Sequence, residues 1–325
     1  MRSCTKIIVV LFAAATSLIN PAVADEVRIE SYPSNQLFET EVLLHVPAKE
    51  PTGLLVLLPA GNIHSYDEHS GYTPSLLPKM LTTNGVLTVI ATPHQSALYS
   101  DAVCEELDGL IANIIHNYKI HEGKVAIGGF SVGGIGAVRY AQFCKRGEHK
   151  AEAPVAVFAV DSPLDFERLF LACELHVKRL ALAGLDEVEY RGIIQDLRKV
   201  LGGAPTEAAE AYKRQSPLNI LAVDGGNARL LKDTPIRLYI EPDLKWRLEN
   251  WNQDVYSSNI LDATALINIL RLLGNKDAEL ITTSDKGRRP DGTRNPHSWS
   301  IVDEPALAQW LTKILKISRT PKSEK

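Results

Sequence analysis

The pentapeptide Gly129-Phe130-Ser131-Val132-Gly133 is the strongest indication of the fold of this chain. The apolar run 125–127 precedes it, and a helical pattern over 135–144 follows it. A strand, a sharp turn and a helix in this order hold a serine on a strained turn, with its hydroxyl above the end of the strand. The flanking glycines leave the space that such a turn requires. The pattern predicts that Ser131 is a nucleophile; the alternative is an ordinary glycine-rich turn or a phosphate cradle.

Outward from this turn, apolar strands alternate with helices. Short unbroken apolar runs bounded by glycine or proline are typical of strands buried on both faces of a parallel sheet. Such runs occupy 54–58, 86–91, 125–127, 155–160, 236–240 and 279–282, and residues 40–46 alternate between apolar and polar. Helical patterns lie between them, at 74–83, 102–118, 135–144, 260–273 and 305–317. The alternation predicts an α/β fold, with a mostly parallel, twisted sheet flanked by helices and right-handed crossovers.

One stretch interrupts this alternation. Residues 164–183 and 188–201 both have helical patterns, and Leu201-Gly202-Gly203-Ala204-Pro205 ends the second. Because the stretch exceeds one crossover helix, we interpret 164–215 as a helical cap inserted into a single domain of residues 25–325. A chain of 325 residues would also accommodate two average domains.

The N-terminus has the pattern of a secretory signal peptide. Arg2 and Lys6 precede the apolar run 7–15, and Ala22 and Ala24 are small residues at the −3 and −1 positions of a cut after Ala24. The alternative is a membrane anchor, but Pro21 and polar residues interrupt the second half of the segment. We predict that residues 1–24 are removed, that the protein is secreted or periplasmic, and that the remaining chain does not insert stably into a membrane.

Composition excludes several classes of function. With 45% hydrophobic and 23% charged residues, the chain has too much apolar material to be disordered. The net charge is −4 and no basic stripe is visible, which argues against a nucleic-acid partner. Removal of Cys4 with the signal peptide leaves Cys104, Cys144 and Cys173, so at least one thiol is unpaired in an oxidising compartment. No cysteine pair has metal-ligand spacing, and we predict neither a metal nor an organic cofactor.

A nucleophilic serine needs a general base. His297, in Asn295-Pro296-His297-Ser298-Trp299, lies between the last predicted strand and the last predicted helix. From that loop an imidazole can reach across the strand ends to Ser131 and accept its proton. The alternative is a surface histidine, and His64, His69 and His94 lie on other loops where they would contact substrate or have no role.

The acid that orients the histidine has three candidates. The chain order serine, acid, histidine places it between Ser131 and His297. Asp243 directly follows the strand 236–240, whereas Asp254 lies closer to the next helix. We rank Asp243 first and Asp254 second by a small margin, and Asp161, at the end of the strand 155–160, is a distant third.

These features resemble the α/β-hydrolase superfamily, over about residues 27–317. The strand order, the turn at Ser131, the helical insertion and the late His297 carry the resemblance, which is nearest to secreted bacterial serine esterases. The segment Gly287-Arg288-Arg289-Pro290-Asp291-Gly292-Thr293-Arg294-Asn295-Pro296-His297-Ser298-Trp299 has the look of a subgroup signature.

The resemblance also implies an oxyanion hole. The Val132 amide would be one donor, and the second would come from Pro59-Ala60-Gly61-Asn62, at Gly61 or Asn62. The chain lacks the His-Gly-Gly-Gly form of this loop that lipases have.

Together these residues predict acyl transfer to water. The expected substrates are small-molecule or carbohydrate esters, and Trp246, Trp251 and Trp299 would either stack on substrate rings or pack loops. A serine peptidase of the same fold is a second interpretation. A non-catalytic binding protein on this scaffold is a third, although it would not need all three triad residues. The oligomeric state is left open.

Overall fold

A single eight-stranded sheet forms the centre of the molecule. The computed structural model describes residues 26–34, 41–61, 63, 76–92, 98–147, 149–186, 188–289 and 291–316. The strands are β1 Glu26–Ser31, β2 Glu41–Val46, β3 Gly53–Leu58, β4 Val86–Ile90, β5 Val125–Phe130, β6 Ala156–Val160, β7 Ile236–Ile240 and β8 Ala278–Thr282. Their order across the sheet is β1-β2-β4-β3-β5-β6-β7-β8. The pairs β1–β2 and β2–β4 are antiparallel, and the pairs from β4 to β8 are parallel.

Helices connect and cover the strands. They are α1 Leu77–Thr83, α2 Asp101–Tyr118, α3 Val132–Lys145, α4 Phe166–Leu182, α5 Val188–Leu201, α6 Ala209–Gln215, α7 Leu244–Trp251, α8 Ile260–Leu272 and α9 Glu304–Lys316. Short 3-10 helices lie at Gly226–Leu231 and Trp299–Ile301.

The central strands have unbroken apolar sequences because helices cover both faces of the sheet there. In β3, Leu54, Val56 and Leu58 pack in a core with residues of α2, α3 and α8. Leu55 and Leu57 point the other way, into a core with residues of α1 and α9. Alternate residues of one strand therefore enter two different cores, which removes the alternating pattern of a strand with one wet face.

A third apolar cluster lies in the segment that we interpret as a cap. Helices α4, α5 and α6 contribute Phe170, Leu197 and Tyr212 to it, and Ile135 of α3 joins them. These helices therefore have a small core of their own, which rests on the helix that follows Ser131.

Helix α7 lies between the predicted strand 236–240 and the predicted helix 260–273, a stretch where we predicted no helix. Its one buried side chain is that of Arg247, and Leu244 and Leu248 are exposed. Without an apolar stripe the helix has no periodic sequence signal. Only its N-terminal Asp243, whose carboxylate accepts the Trp246 amide at 3.0 Å, marks where it begins.

The segment predicted to be a signal peptide, residues 1–24, lies outside the described residues. Within the described part of the chain, no helix is both long and apolar enough to cross a membrane. Cys104, Cys144 and Cys173 are buried and carry free thiols.

Candidate active site

Ser131 occupies a strained turn between β5 and α3. Its backbone has φ 53° and ψ −118°, a conformation that costs a non-glycine residue about 1–3 kcal/mol. The Ser131 amide donates to the Val160 carbonyl at 2.9 Å, which fixes the turn to the neighbouring strand. A Cβ atom at Gly133 would lie 1.7 Å from the Leu58 carbonyl oxygen, so only glycine lets α3 approach β3 this closely. The serine hydroxyl is held above the sheet by this packing.

His297 bridges the serine and an acid. Its Nε2 lies 3.1 Å from Ser131 Oγ, and its Nδ1 lies 3.0 Å from Asp161 Oδ2. The carboxylate can only accept, so Nδ1 carries the proton and Nε2 is free to accept the serine proton. The ring lies 4.8 Å from that of Phe130 and 6.3 Å from that of Trp251, centre to centre.

Asp161 is the residue immediately after β6. Its side chain is fully buried and its φ is 42°. Oδ2 accepts from Arg247 at 2.7 Å as well as from His297, and Oδ1 accepts from Asn259 at 3.0 Å. Burial opposes ionisation of this carboxyl, but the charges and hydrogen bonds of Arg247 and His297 outweigh burial and hold the pKa of Asp161 well below its ordinary value. The group is therefore an anion across the neutral pH range.

The prediction that Asp243 faces His297 is wrong. Its carboxylate caps α7 and pairs with Arg294 at 2.5 Å, and Arg294 also pairs with Glu241 at 3.1 Å. The hydrogen bond from the Trp246 amide and the contact with Arg294 lower the pKa of Asp243. Asp243 thus ties the beginning of α7 to the loop that carries His297, instead of contacting the imidazole.

The prediction for the second-ranked acid, Asp254, is also wrong. Asp254 pairs with Arg179 of α4 at 2.7 Å and accepts the Ser257 amide at 3.0 Å. The third-ranked Asp161 occupies the place, and the sheet explains why. Phe130 and Val160 are register partners in β5 and β6, so the residues that follow them, Ser131 and Asp161, end adjacent strands. An acid directly after the strand next to β5 was the signal in the sequence.

The residues expected to stabilise an oxyanion lie at the same edge. Val132 is the first residue of α3, and an amide at that position has no partner within its own helix. Val132 and Ala60 line the cavity above Ser131, and the neighbouring Gly61 has φ 134°. Asn62 lies outside the described residues. The roles of Val132 and Gly61 as donors stay predictions.

A cavity of about 610 Å³ opens above the serine, within the size range of small-molecule sites. Its apolar wall includes Leu98, Ile135, Leu169, Ala172, Cys173 and Ile193. Besides Ser131 and His297, the polar and charged lining groups are Glu189, Tyr190, Asp196, Arg247, Gln253, Ser257, Asn259 and Asn295. Trp251 lines the cavity, whereas Trp246 packs on Trp251 at 5.0 Å and Trp299 is buried against Phe158. His64, His69 and His94 lie outside the described residues.

Among the residues that the structure describes, no group of three or more histidine, cysteine, aspartate or glutamate side chains is arranged to hold a metal ion.

No protein-family model matches the chain, and no curated protein is similar to it at the level of sequence. Solved structures are similar. The Mycobacterium tuberculosis protein MPT51 (FbpC1) is 14% identical, with 90% of this chain and 98% of that chain covered and a TM-score of 0.56. Carboxyl esterase 2 of the fungus Tuber melanosporum is 12% identical, with 93% and 89% covered and a TM-score of 0.55.

An S-formylglutathione hydrolase from Agrobacterium tumefaciens is 17% identical, with 91% of this chain and 98% of that chain covered and a TM-score of 0.51. Likeness at this level of identity concerns the fold and leaves the activity open. The sheet order, the turn at Ser131 and these structures confirm the predicted fold class: the chain has the α/β-hydrolase fold.

Proposed function

We propose that this protein is a serine hydrolase that cleaves carboxylic esters through an acyl-enzyme. One observation carries the proposal. Asp161, His297 and Ser131 form an unbroken hydrogen-bonded chain that ends at the wall of the cavity. A buried anion, an imidazole with a defined tautomer and a strained serine are the groups that nucleophilic acyl transfer requires.

In the proposed mechanism, Ser131 Oγ attacks the ester carbonyl carbon while His297 Nε2 takes the serine proton. Asp161 stabilises the resulting imidazolium, and backbone amides such as that of Val132 stabilise the oxyanion. The intermediate collapses when the alcohol leaves with the proton from His297, and an ester of Ser131 remains. Water then attacks this ester with His297 as base, and the acid product and free Ser131 are released.

The cavity supports an acyl substrate of moderate size. Its apolar wall, from Leu98 to Ile193, suits a hydrocarbon acyl group, and its amide side chains suit a polar alcohol. Acylated carbohydrates and small esters both meet this description. The names of two structurally similar proteins, a carboxyl esterase and an S-formylglutathione hydrolase, agree with acyl chemistry.

A fluorophosphonate probe tests the proposal directly. We expect it to phosphonylate the native protein and not the heat-denatured protein, with the added mass on the peptide that contains Ser131. The native protein should also hydrolyse nitrophenyl acetate and longer nitrophenyl esters faster than peptide anilides. Absence of labelling would indicate a binding protein, and cleavage confined to peptide anilides would indicate a peptidase.

Export is part of the proposal, on the strength of the N-terminal pattern. When the full chain is expressed in a bacterium, we expect the mature protein outside the cytoplasm, with Asp25 as its first residue. N-terminal sequencing of protein from each cell fraction measures this. Recovery of the intact chain, beginning at Met1, from the cytoplasm would contradict it.

A further inference from the structure

Helix α7 is attached to the body of the protein through an arginine. Arg247 is 2% exposed and is the one side chain of α7 that is buried. A charged group in this position is costly to bury unless it is paired. The partner of Arg247 is Asp161, the acid of the proposed triad. The contact that anchors helix α7 therefore lies inside the candidate active site.

The guanidinium of Arg247 and the imidazole of His297 both contact the same oxygen atom of Asp161. Arg247 donates to Asp161 Oδ2 at 2.7 Å, and His297 Nδ1 contacts the same oxygen at 3.0 Å. Gln253 Oε1 lies 3.4 Å from Arg247, and the Trp251 ring lies 5.7 Å from it. Because they share Oδ2, the guanidinium and a protonated imidazole would be like charges within about 6 Å, close enough to shift a proton equilibrium.

Other groups near the imidazole do not share this contact. Ser131 is uncharged, and Asn259 is a neutral donor on the second oxygen of Asp161. From α4 and α5, the cavity wall carries the titratable groups Cys173, Glu189, Tyr190 and Asp196. The ring nitrogens of His297 contact Asp161 Oδ2 and Ser131 Oγ. Arg294, on the histidine loop itself, is paired with Asp243 and Glu241.

We propose that Arg247 is a positioning residue that holds Asp161 against His297 and extends catalysis to lower pH. The inference rests on the proposed function. A fixed positive charge beside Asp161 Oδ2 repels an imidazolium at His297, which favours the neutral ring that acts as the base. Removing the charge also gives His297 undivided use of Oδ2, which stabilises the imidazolium further. Both effects stabilise the His297 imidazolium when the arginine charge is removed.

The test compares arginine variants that separate charge from packing. Arg247→Met removes the charge at similar length, and Arg247→Gln replaces it if the methionine variant does not fold. Arg247→Lys keeps the charge and loses the planar fork. Arg179→Met, which removes an exposed arginine paired with Asp254, is the matched control. The readouts are the pH dependence of kcat/KM with an uncharged nitrophenyl ester and the NMR titration of the His297 ring.

We expect the acid limb of the Arg247→Met profile to move to higher pH by about one unit, so that its activity relative to wild type is about tenfold lower at pH 5 than at pH 8. Arg247→Lys should keep the wild-type limb, whatever its kcat, and Arg179→Met should match the wild type throughout. A limb that stays in place in the neutral variant, or that moves equally in Arg247→Lys, would overturn the inference. If the wild type hydrolyses no ester, the proposed function fails, and the NMR titration still decides the role of Arg247.

Discussion

Replacing Ser131 with alanine is expected to lower kcat/KM for a nitrophenyl ester by at least about a thousandfold, because the reaction would lose its nucleophile. The side chain is half-buried, and its hydroxyl contacts His297 Nε2. Its removal leaves a small change at the cavity wall, so the fold should persist. Steady-state kinetics measure the loss, and urea unfolding checks the fold.

Ser258→Ala is the control for this change. Ser258 is buried and its hydroxyl donates to the Val255 carbonyl at 2.8 Å, outside the proposed triad. We expect the activity of this variant to lie within about threefold of wild type, with a hydrogen-bond loss of about 1 kcal/mol in the free energy of unfolding. Turnover by Ser131→Ala above about a thousandth of wild type would remove Ser131 as the nucleophile.

Asp161→Asn should lower kcat by about 10³–10⁴-fold, which is the loss expected when the orienting carboxylate becomes an amide and the imidazole takes the wrong tautomer. The same change leaves the buried guanidinium of Arg247 without its anion. Breaking a buried ion pair costs about 3–5 kcal/mol, so the free energy of unfolding should fall as well. Kinetics at a temperature where the variant remains folded separate the two effects.

The rejected acids are the matched controls. Asp243→Asn keeps a capping side chain on α7, since asparagine caps helices as well as aspartate does. Asp254→Asn removes an exposed ion pair with Arg179, which contributes at most about 1 kcal/mol. Both variants should keep kcat within about tenfold of wild type. If Asp243→Asn proved as damaging as Asp161→Asn, the orienting role assigned to Asp161 would be untenable.

The central strands β3 to β6 were predictable because they are buried on both faces, and burial leaves continuous apolar runs in the sequence. The edge strand β1, in which Val27 and Ile29 are exposed, has no such run and was not predicted. The turn at Ser131 was predictable for a related reason. Only glycine fits at Gly133, where α3 approaches the backbone of Leu58. The close packing is therefore visible in the sequence as a glycine. His297 followed from its place after the last strand.

We predicted the wrong acid because we ranked the candidates by their position in the sequence, without knowing the order of the strands in the sheet. Asp243 is closest to the end of β7, but β6 lies between β7 and β5 in the sheet. Asp161 therefore reaches the imidazole from the nearer strand. Helix α7 was missed because its buried residue is an arginine, whose partner, Asp161, is 86 positions away in the chain. Contacts of that kind depend on the tertiary structure and leave no local pattern.

Ser131 and Asp161, at the ends of adjacent strands, limit where this scaffold can be redesigned. Ser131 and Asp161 are held in place by main-chain bonds to Val160 and Tyr239, each at 2.9 Å, within adjacent strands. His297 arrives on a long connection. Main-chain bonds from Asn295 to Gly287 and from Arg289 to Thr293 fold part of it into a hairpin, and side-chain contacts such as that of Arg294 with Asp243 attach it to the rest of the protein. Altered loop lengths or grafted segments belong at the exposed tip of that hairpin, at residues 291–293, away from Thr283, Asp285 and Lys286, which donate to Glu241. The strands β5 and β6 tolerate no such change, since one added residue would separate nucleophile from acid.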